Sequence, residues 1–168
     1  MNRIPSTLLI FFLFSLFFII SSCGSSKQVE TMLKRLHYDY EIDPEGDYRA
    51  EVPLPDGRKA YVGVSAALTR DESMVGFREI WSVAGRLPAP LRDDVAHNLL
   101  LDNWTSRHAG AWANAGVTSD GEAVLVYVVR IPTTSSRKVY RTVIERTAYK
   151  ALGLQEALRV VEDGPVVR

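Results

Sequence analysis

From Val29 onward the apolar positions first recur with the period of a helix. Val29, Met32, Leu33 and Leu36 fall at i, i+3, i+4 and i+7, which predicts an amphipathic helix of about two and a half turns. Tyr38 and Tyr40 open a change of period. Tyr48, Ala50, Val52 and Leu54 then alternate with Arg49, Glu51 and Pro53, the signature of a strand with one buried face. Pro44-Glu45-Gly46-Asp47 and Pro55-Asp56-Gly57-Arg58 read as the turns on either side. Pro53 has no N–H for a ladder, so it belongs at an edge or a strand end. Tyr61-Val62-Gly63-Val64 starts a further strand, and Arg70-Asp71-Glu72-Ser73 is a polar connection. Val75 to Val83 is the next strand, with Phe77, Glu79 and Trp81 on one side and Arg78, Ile80 and Ser82 on the other.

Leu87-Pro88-Ala89-Pro90 ends this meander. A second helix follows, with Pro90 near its first turn and Asp93-Asp94 close to its positive end. Leu91, Val95, Leu99 and Asn103 lie on one of its faces, and Ala96, Leu100 and Trp104 widen it. Gly110-Ala111-Trp112-Ala113 enters a hairpin whose turn is Thr118-Ser119-Asp120-Gly121. Its return strand, Ala123 to Val129, is the most apolar stretch after the first 22 residues and is expected to be central and buried on both faces. Pro132 stops it, and Thr133 or Thr134 is expected to cap a third helix. That helix runs to about Leu152, with Gly153 as its stop. Val139, Val143, Thr147 and Ala151, with Tyr140, Ile144, Ala148 and Leu152, give it a broad apolar face. Strands in runs separated by single helices indicate an α+β domain. The expected order is α-β-β-β(-β)-α-β-β-α, an antiparallel sheet of about five to six strands with three helices. The domain is expected to span 29–158, with 159–168 as a tail.

The first residues follow another pattern. Met1-Asn2-Arg3 is a short positive start, and Leu8 to Ile20 is apolar throughout except for Ser15. Small residues follow, then Cys23, the single cysteine of the chain. This is the layout of a secretory signal with a cleavage site. Ile20-Ser21-Ser22-Cys23 resembles a lipobox, the site at which bacterial lipoprotein precursors are acylated on the cysteine and cut just before it. The resemblance implies cleavage between Ser22 and Cys23, removal of residues 1–22 and a lipidated Cys23. Gly24-Ser25-Ser26-Lys27-Gln28 reads as a short flexible spacer, so that 23–28 are the lipidated N-terminus and linker. Two other readings stand beside it: an uncleaved anchor, short for a span of ~20 residues, and a chance thiol after an ordinary signal. A lone cysteine in an exported chain has no internal disulfide partner, and lipid would cap it. Gly24 rather than Asp follows the cysteine, which points to the outer membrane, facing the periplasm, if the host is Gram-negative.

Charge narrows the partners. The whole chain carries 20 basic and 20 acidic residues. Removing residues 1–22 takes away only Arg3 among them. Near neutrality, with no basic run, argues against nucleic acid. No residue set for catalysis or metal stands out, and no cofactor is expected. His37, His97 and His108 form no His-Glu-x-x-His or Cys-His cluster. Ser65, Ser73, Ser82 and Ser106 lack the Gly-x-Ser-x-Gly setting of a nucleophile elbow. Asp93-Asp94 suits the electrostatics of a helix start better than acid–base chemistry. Trp81, Trp104 and Trp112 are the candidates for a partner surface, with core packing as the alternative.

The element order resembles the type III secretion chaperone-like fold, in particular its YbjN-like branch. The stretch that carries the resemblance runs from Val95-Ala96-His97-Asn98-Leu99-Leu100-Leu101-Asp102-Asn103-Trp104 through Gly110-Ala111-Trp112 to Asp120-Gly121-Glu122-Ala123-Val124-Leu125-Val126. It implies a non-catalytic, protein-binding or regulatory module, and a homodimer that holds an extended partner chain. Together with the lipobox, the expectation is a lipid-anchored envelope protein with a protein partner. A second expectation is a periplasmic small-ligand binder or hydrolase with a pocket near Trp104 and Trp112, where His97 or His108 would converge. A third is a purely structural envelope component.

Overall fold

A computed structural model of the chain describes residues 26–70, 75–105 and 109–162. The expected signal segment, with Ser22 and Cys23, lies outside the described residues, as do Ser73, Ser106 and His108. Three helices and an antiparallel sheet form one α+β domain in the expected order.

Helix α1 (residues 26–36) buries Val29, Leu33 and Leu36. It starts earlier than the apolar period shows, so residues 26–28 are helical rather than a linker. The sheet holds that first turn. The Tyr48 hydroxyl lies 2.7 Å from Ser26 Oγ and donates to the Ser26 carbonyl at 3.0 Å. His37 ends the helix with φ 60°. This left-handed residue lets Tyr38 N–H donate back to Leu33 O at 3.2 Å.

The strands are β1 (Asp39–Ile42), β2 (Tyr48–Pro53), β3 (Lys59–Val64), the two-residue β4 (Thr69–Arg70), β5 (Gly76–Pro88), β6 (Gly110–Val117) and β7 (Glu122–Pro132). Their spatial order is β1-β2-β3-β5-β7-β6, with β4 paired to β5. Pro53 sits at the end of β2, opposite Lys59. Thr118 to Gly121 closes the β6–β7 hairpin. Gly121 has φ 78°, a conformation open to glycine at no steric cost. The alternation in β5 falls as its pattern requires: Arg78, Ile80 and Ser82 are buried, while Glu79 and Trp81 are half-exposed on the other face.

Strand β7 is a correction. It lies next to the edge strand β6, not at the centre, and it is not fully buried on both faces. Leu125, Tyr127, Val129 and Ile131 are buried on one face; on the other Val126 is buried as well, whereas Val124 and Val128 are only half-buried. A second face without a helix over it leaves valines partly in water.

Helix α3 (Arg137–Glu162) is the other correction. It starts later than Thr133 because the Thr133 N–H is taken by Gly76 O at 2.8 Å, which prolongs the sheet. Ser136 caps it instead, its Oγ accepting from Val139 N–H at 3.4 Å. It runs through Gly153 to Glu162, so the helix covers part of the expected tail. A glycine inside a helix costs about 1 kcal/mol, and the next turns offset it. Glu156 accepts from Arg58 Nη1 at 2.7 Å on the β2–β3 hairpin. Leu158 packs at Gly85, where an added Cβ would come within 3.1 Å of its Cδ1.

Helices α1 and α3 cover one face of the sheet. Val29, Leu33 and Leu36 meet Tyr140, Ile144 and Ala148 over Tyr48, Val52, Val62, Val64, Ile80 and Val129. Each large apolar side chain buried this way contributes about 1.5–3 kcal/mol. Arg78 is 1% exposed in this layer, and its guanidinium donates to the carbonyls of Ser65 and Ala66. Among the described residues, no helix is long and apolar enough to cross a membrane.

Candidate binding surface at the α2–β6 corner

Helix α2 (Asp93–Thr105) has the local features of a stable helix, with Asp93 and Asp94 in its first turn. Yet it buries no residue. Leu91, Val95, Ala96 and Leu99 are half-buried, while Leu100 is 67% exposed, Leu101 48% and Trp104 86%. The apolar stripe expected to pack therefore divides. One part leans on the domain and the other faces water.

Two adjacent polar residues fasten the helix. Asp102 accepts a 2.7 Å hydrogen bond from Trp112 Nε1 and lies 3.5 Å from Lys150 Nζ on α3. Asn103 accepts from Trp112 N–H at 2.7 Å and donates to Trp112 O at 3.1 Å. Among the described residues, every polar contact between α2 and the other elements comes from these two side chains. Trp112 is itself held edge-on against Tyr127, with ring centroids 4.9 Å apart. Burial raises the Tyr127 phenol above its usual range, against a Gly110 backbone hydrogen bond that lowers it.

The three tryptophans do not form one surface. Trp112 pairs with Tyr127 on the helix-covered side, and Trp104 points out from α2. Trp81 lies on the open face, its indole so close over Gly63 that an added Cβ would stand 2.2 Å from Cε2. Only the glycine admits that approach. Trp81 borders an open hollow of about 780 Å³, with Glu79, Ala111, Ala113, Val128 and Arg130 among its walls. Arg49 stacks over the exposed Tyr61 ring on the same face, 4.0 Å from its centroid.

The pocket expected near Trp104 and Trp112 is lined otherwise. A cavity of about 380 Å³ lies between α3 and β7, walled by Tyr127, Val129, Val143, Arg146, Tyr149 and Lys150, not by either tryptophan. His97 is exposed on α2 and His37 ends α1, so neither histidine enters it. Ser65 Oγ donates to Ala67 O at 3.2 Å. Ser82 Oγ donates to Tyr61 O at 2.7 Å, where β3 and β5 part beyond their two paired positions. Asp94 accepts from Arg92 at 2.9 Å. Among the described residues, no three His, Cys, Asp or Glu side chains are grouped to hold a metal.

Sequence reasoning missed Asn103 and Asp102 as the fasteners of α2. It placed Asn103 on the apolar face, and that odd polar residue within the stripe was the available signal. No protein-family model matches the chain, and no curated protein sequence matches it.

Proposed function

We propose that this protein is a lipid-anchored, non-catalytic module of the bacterial cell envelope that binds another protein through the α2–β6 corner. The observation that carries the reading is α2 itself, a helix of 13 residues that buries none of them and turns Leu100, Leu101 and Trp104 to solvent. An exposed apolar group of this kind, rimmed by polar residues, marks an interaction site. Aromatic anchors also carry much of the energy at protein interfaces. The element order supports the chaperone-like reading of that module, and the lipobox at Ile20-Ser21-Ser22-Cys23 supports the anchor. Helix α1 begins within three residues of Cys23, so a lipid there would hold the domain close to the membrane, outer and periplasm-facing in a Gram-negative host. Two or three acyl chains give stable anchoring where one gives only marginal binding.

Two measurements test the parts separately. Mass spectrometry of the protein isolated from its native membrane should find a chain starting at lipidated Cys23. A chain intact from Met1 with a bare thiol would remove the anchor. Crosslinking in cells, with quantitative comparison of wild type against a Leu100→Ser, Trp104→Ala double variant, should recover a partner that the variant loses. A partner recovered equally by both proteins would place the contact elsewhere.

A further inference from the structure

The two edges of the sheet are protected differently. Strand β1 is 4 residues long and carries Asp39 and Glu41, the latter paired with Arg49 at 2.9 Å. Short, charged edges discourage strand addition. Strand β6 is 8 residues long, Gly110-Ala111-Trp112-Ala113-Asn114-Ala115-Gly116-Val117, with no charge and no proline. An edge of that composition is open to pairing unless something covers it.

Asn103 is what covers it. Trp112 is paired with Tyr127 of β7, and its own N–H and C=O turn outward, where the Asn103 carboxamide takes both. One acceptor and one donor meeting the C=O and N–H of a single strand residue reproduce the bond pair that a neighbouring antiparallel strand would make there. The carboxamide thus stands in the place of a peptide backbone. Antiparallel alternation turns the backbone groups of Asn114 to the same outer side, and nothing of α2 is buried to lock the helix over the edge, while the Gly110 backbone is already engaged by the Tyr127 hydroxyl.

We infer that the β6 edge receives an extended segment of a partner polypeptide as an added strand, and that the segment displaces the Asn103 carboxamide from Trp112. This rests on the reading of the α2–β6 corner as the partner surface and specifies how the partner binds. Strand addition is an established mode of peptide capture, in which backbone bonds supply affinity and alternate side chains supply specificity. The neighbouring positions Ala111 and Ala113 are small and lie beside the open hollow with Val126 and Val128. They leave room for bulky apolar side chains at alternate positions of the incoming strand. Leu100, Leu101 and Trp104 move with α2 as it shifts and remain available to the same partner.

The test uses the full-length protein in detergent micelles and a synthetic 11-residue peptide copying Glu122–Pro132, the strand that already pairs with the inner side of β6. Asn103→Ala removes the competitor, so the peptide should bind this variant about tenfold more tightly than wild type, the scale of one or two neutral hydrogen bonds. Binding should slow hydrogen exchange at the Asn114 amide. Asn114→Pro, which lacks the outward N–H, should abolish binding with its melting temperature retained. If Asn103→Ala fails to fold, Asn103→Asp keeps the acceptor, loses the donor and should show a smaller gain. Equal affinity for wild type and variant, protection at Asp39–Ile42 instead, or no binding would each overturn the inference. A concentration-dependent dimer of Asn103→Ala through β6, seen by light scattering, would overturn it in favour of a second copy as the strand. Failure of the peptide alongside loss of the cellular partner in the Leu100→Ser, Trp104→Ala protein would leave the corner as partner surface and reject strand addition alone.

Discussion

Helices α1 and α2 begin from the same kind of sequence and end in opposite environments. Each carries apolar residues at helical spacing. Helix α1 buries Val29, Leu33 and Leu36 against α3 and the sheet. Helix α2 buries nothing and is fastened by Asp102 and Asn103 to one residue of β6 and one of α3. Amphipathic spacing therefore says that a helix has an apolar face, and the neighbours available decide whether that face is used. Helix α1 lies on the β1–β2 side of the sheet, where Ser26 meets Tyr48 and Glu30 meets Tyr40, and its apolar face packs into the core shared with α3. Helix α2 lies against the edge strand β6, and among the described residues no element stands opposite its outer side.

The contrast predicts unequal responses to mutation. The largest effect is expected on the α1 side. Leu33 is 1% exposed, and Leu33→Ala should lower unfolding free energy by about 2–5 kcal/mol through lost burial and a residual cavity, read by denaturant melts. A value near zero would make α1 as loosely held as α2.

Alkaline pH probes the same side. The Tyr38 hydroxyl donates to Glu145 Oε1 of α3 at 3.3 Å. Burial, with the Glu145 charge and hydrogen bond as lesser causes, raises this phenol to about 12. The folded protein thus holds the proton more tightly than the unfolded chain, whose phenol loses it near the ordinary value of about 10. Stability from Tyr38 is full below about pH 10 and is lost as pH rises toward 12. Tyr38→Phe should flatten that part of the stability–pH curve, measured by melts from pH 8 to 12.

Asn103→Ala should be milder, about 1 kcal/mol, with faster hydrogen exchange at the Trp112 amide and little change in α1. Loss of exchange protection in both helices would show that the corner and the core unfold as one unit.

The smallest effect on stability belongs to Trp104→Ala. At 86% exposure the change should stay within about 0.5 kcal/mol. A larger loss would mean that Trp104 packs against something, and the comparison between the two helices would fail.

Much of the fold was legible because its signals are local. Strand β2, the faces of β5 and the turn at Thr118 to Gly121 all follow from alternation and turn chemistry over a few residues. The ends of α3 were not legible. Thr133 reads as a cap until the sheet claims its N–H, and Gly153 reads as a stop until Arg58 and Gly85 engage the turns beyond it. The candidate surface was half legible. Trp104 was named, but the separation of Trp81, Trp104 and Trp112 onto different surfaces depends on strand register and on which face the helices cover.

The sequence by itself determined the order of helices and strands, the pleat of each strand and the near-neutral charge, since each is written in neighbouring residues. Tertiary structure decided which apolar stripes stay dry, because burial is a relation between two surfaces and chain spacing describes only one. It also turned Asn103 from an oddity within an apolar face into the polar tie on β6, since a carboxamide has a role only once a backbone N–H and C=O stand opposite it.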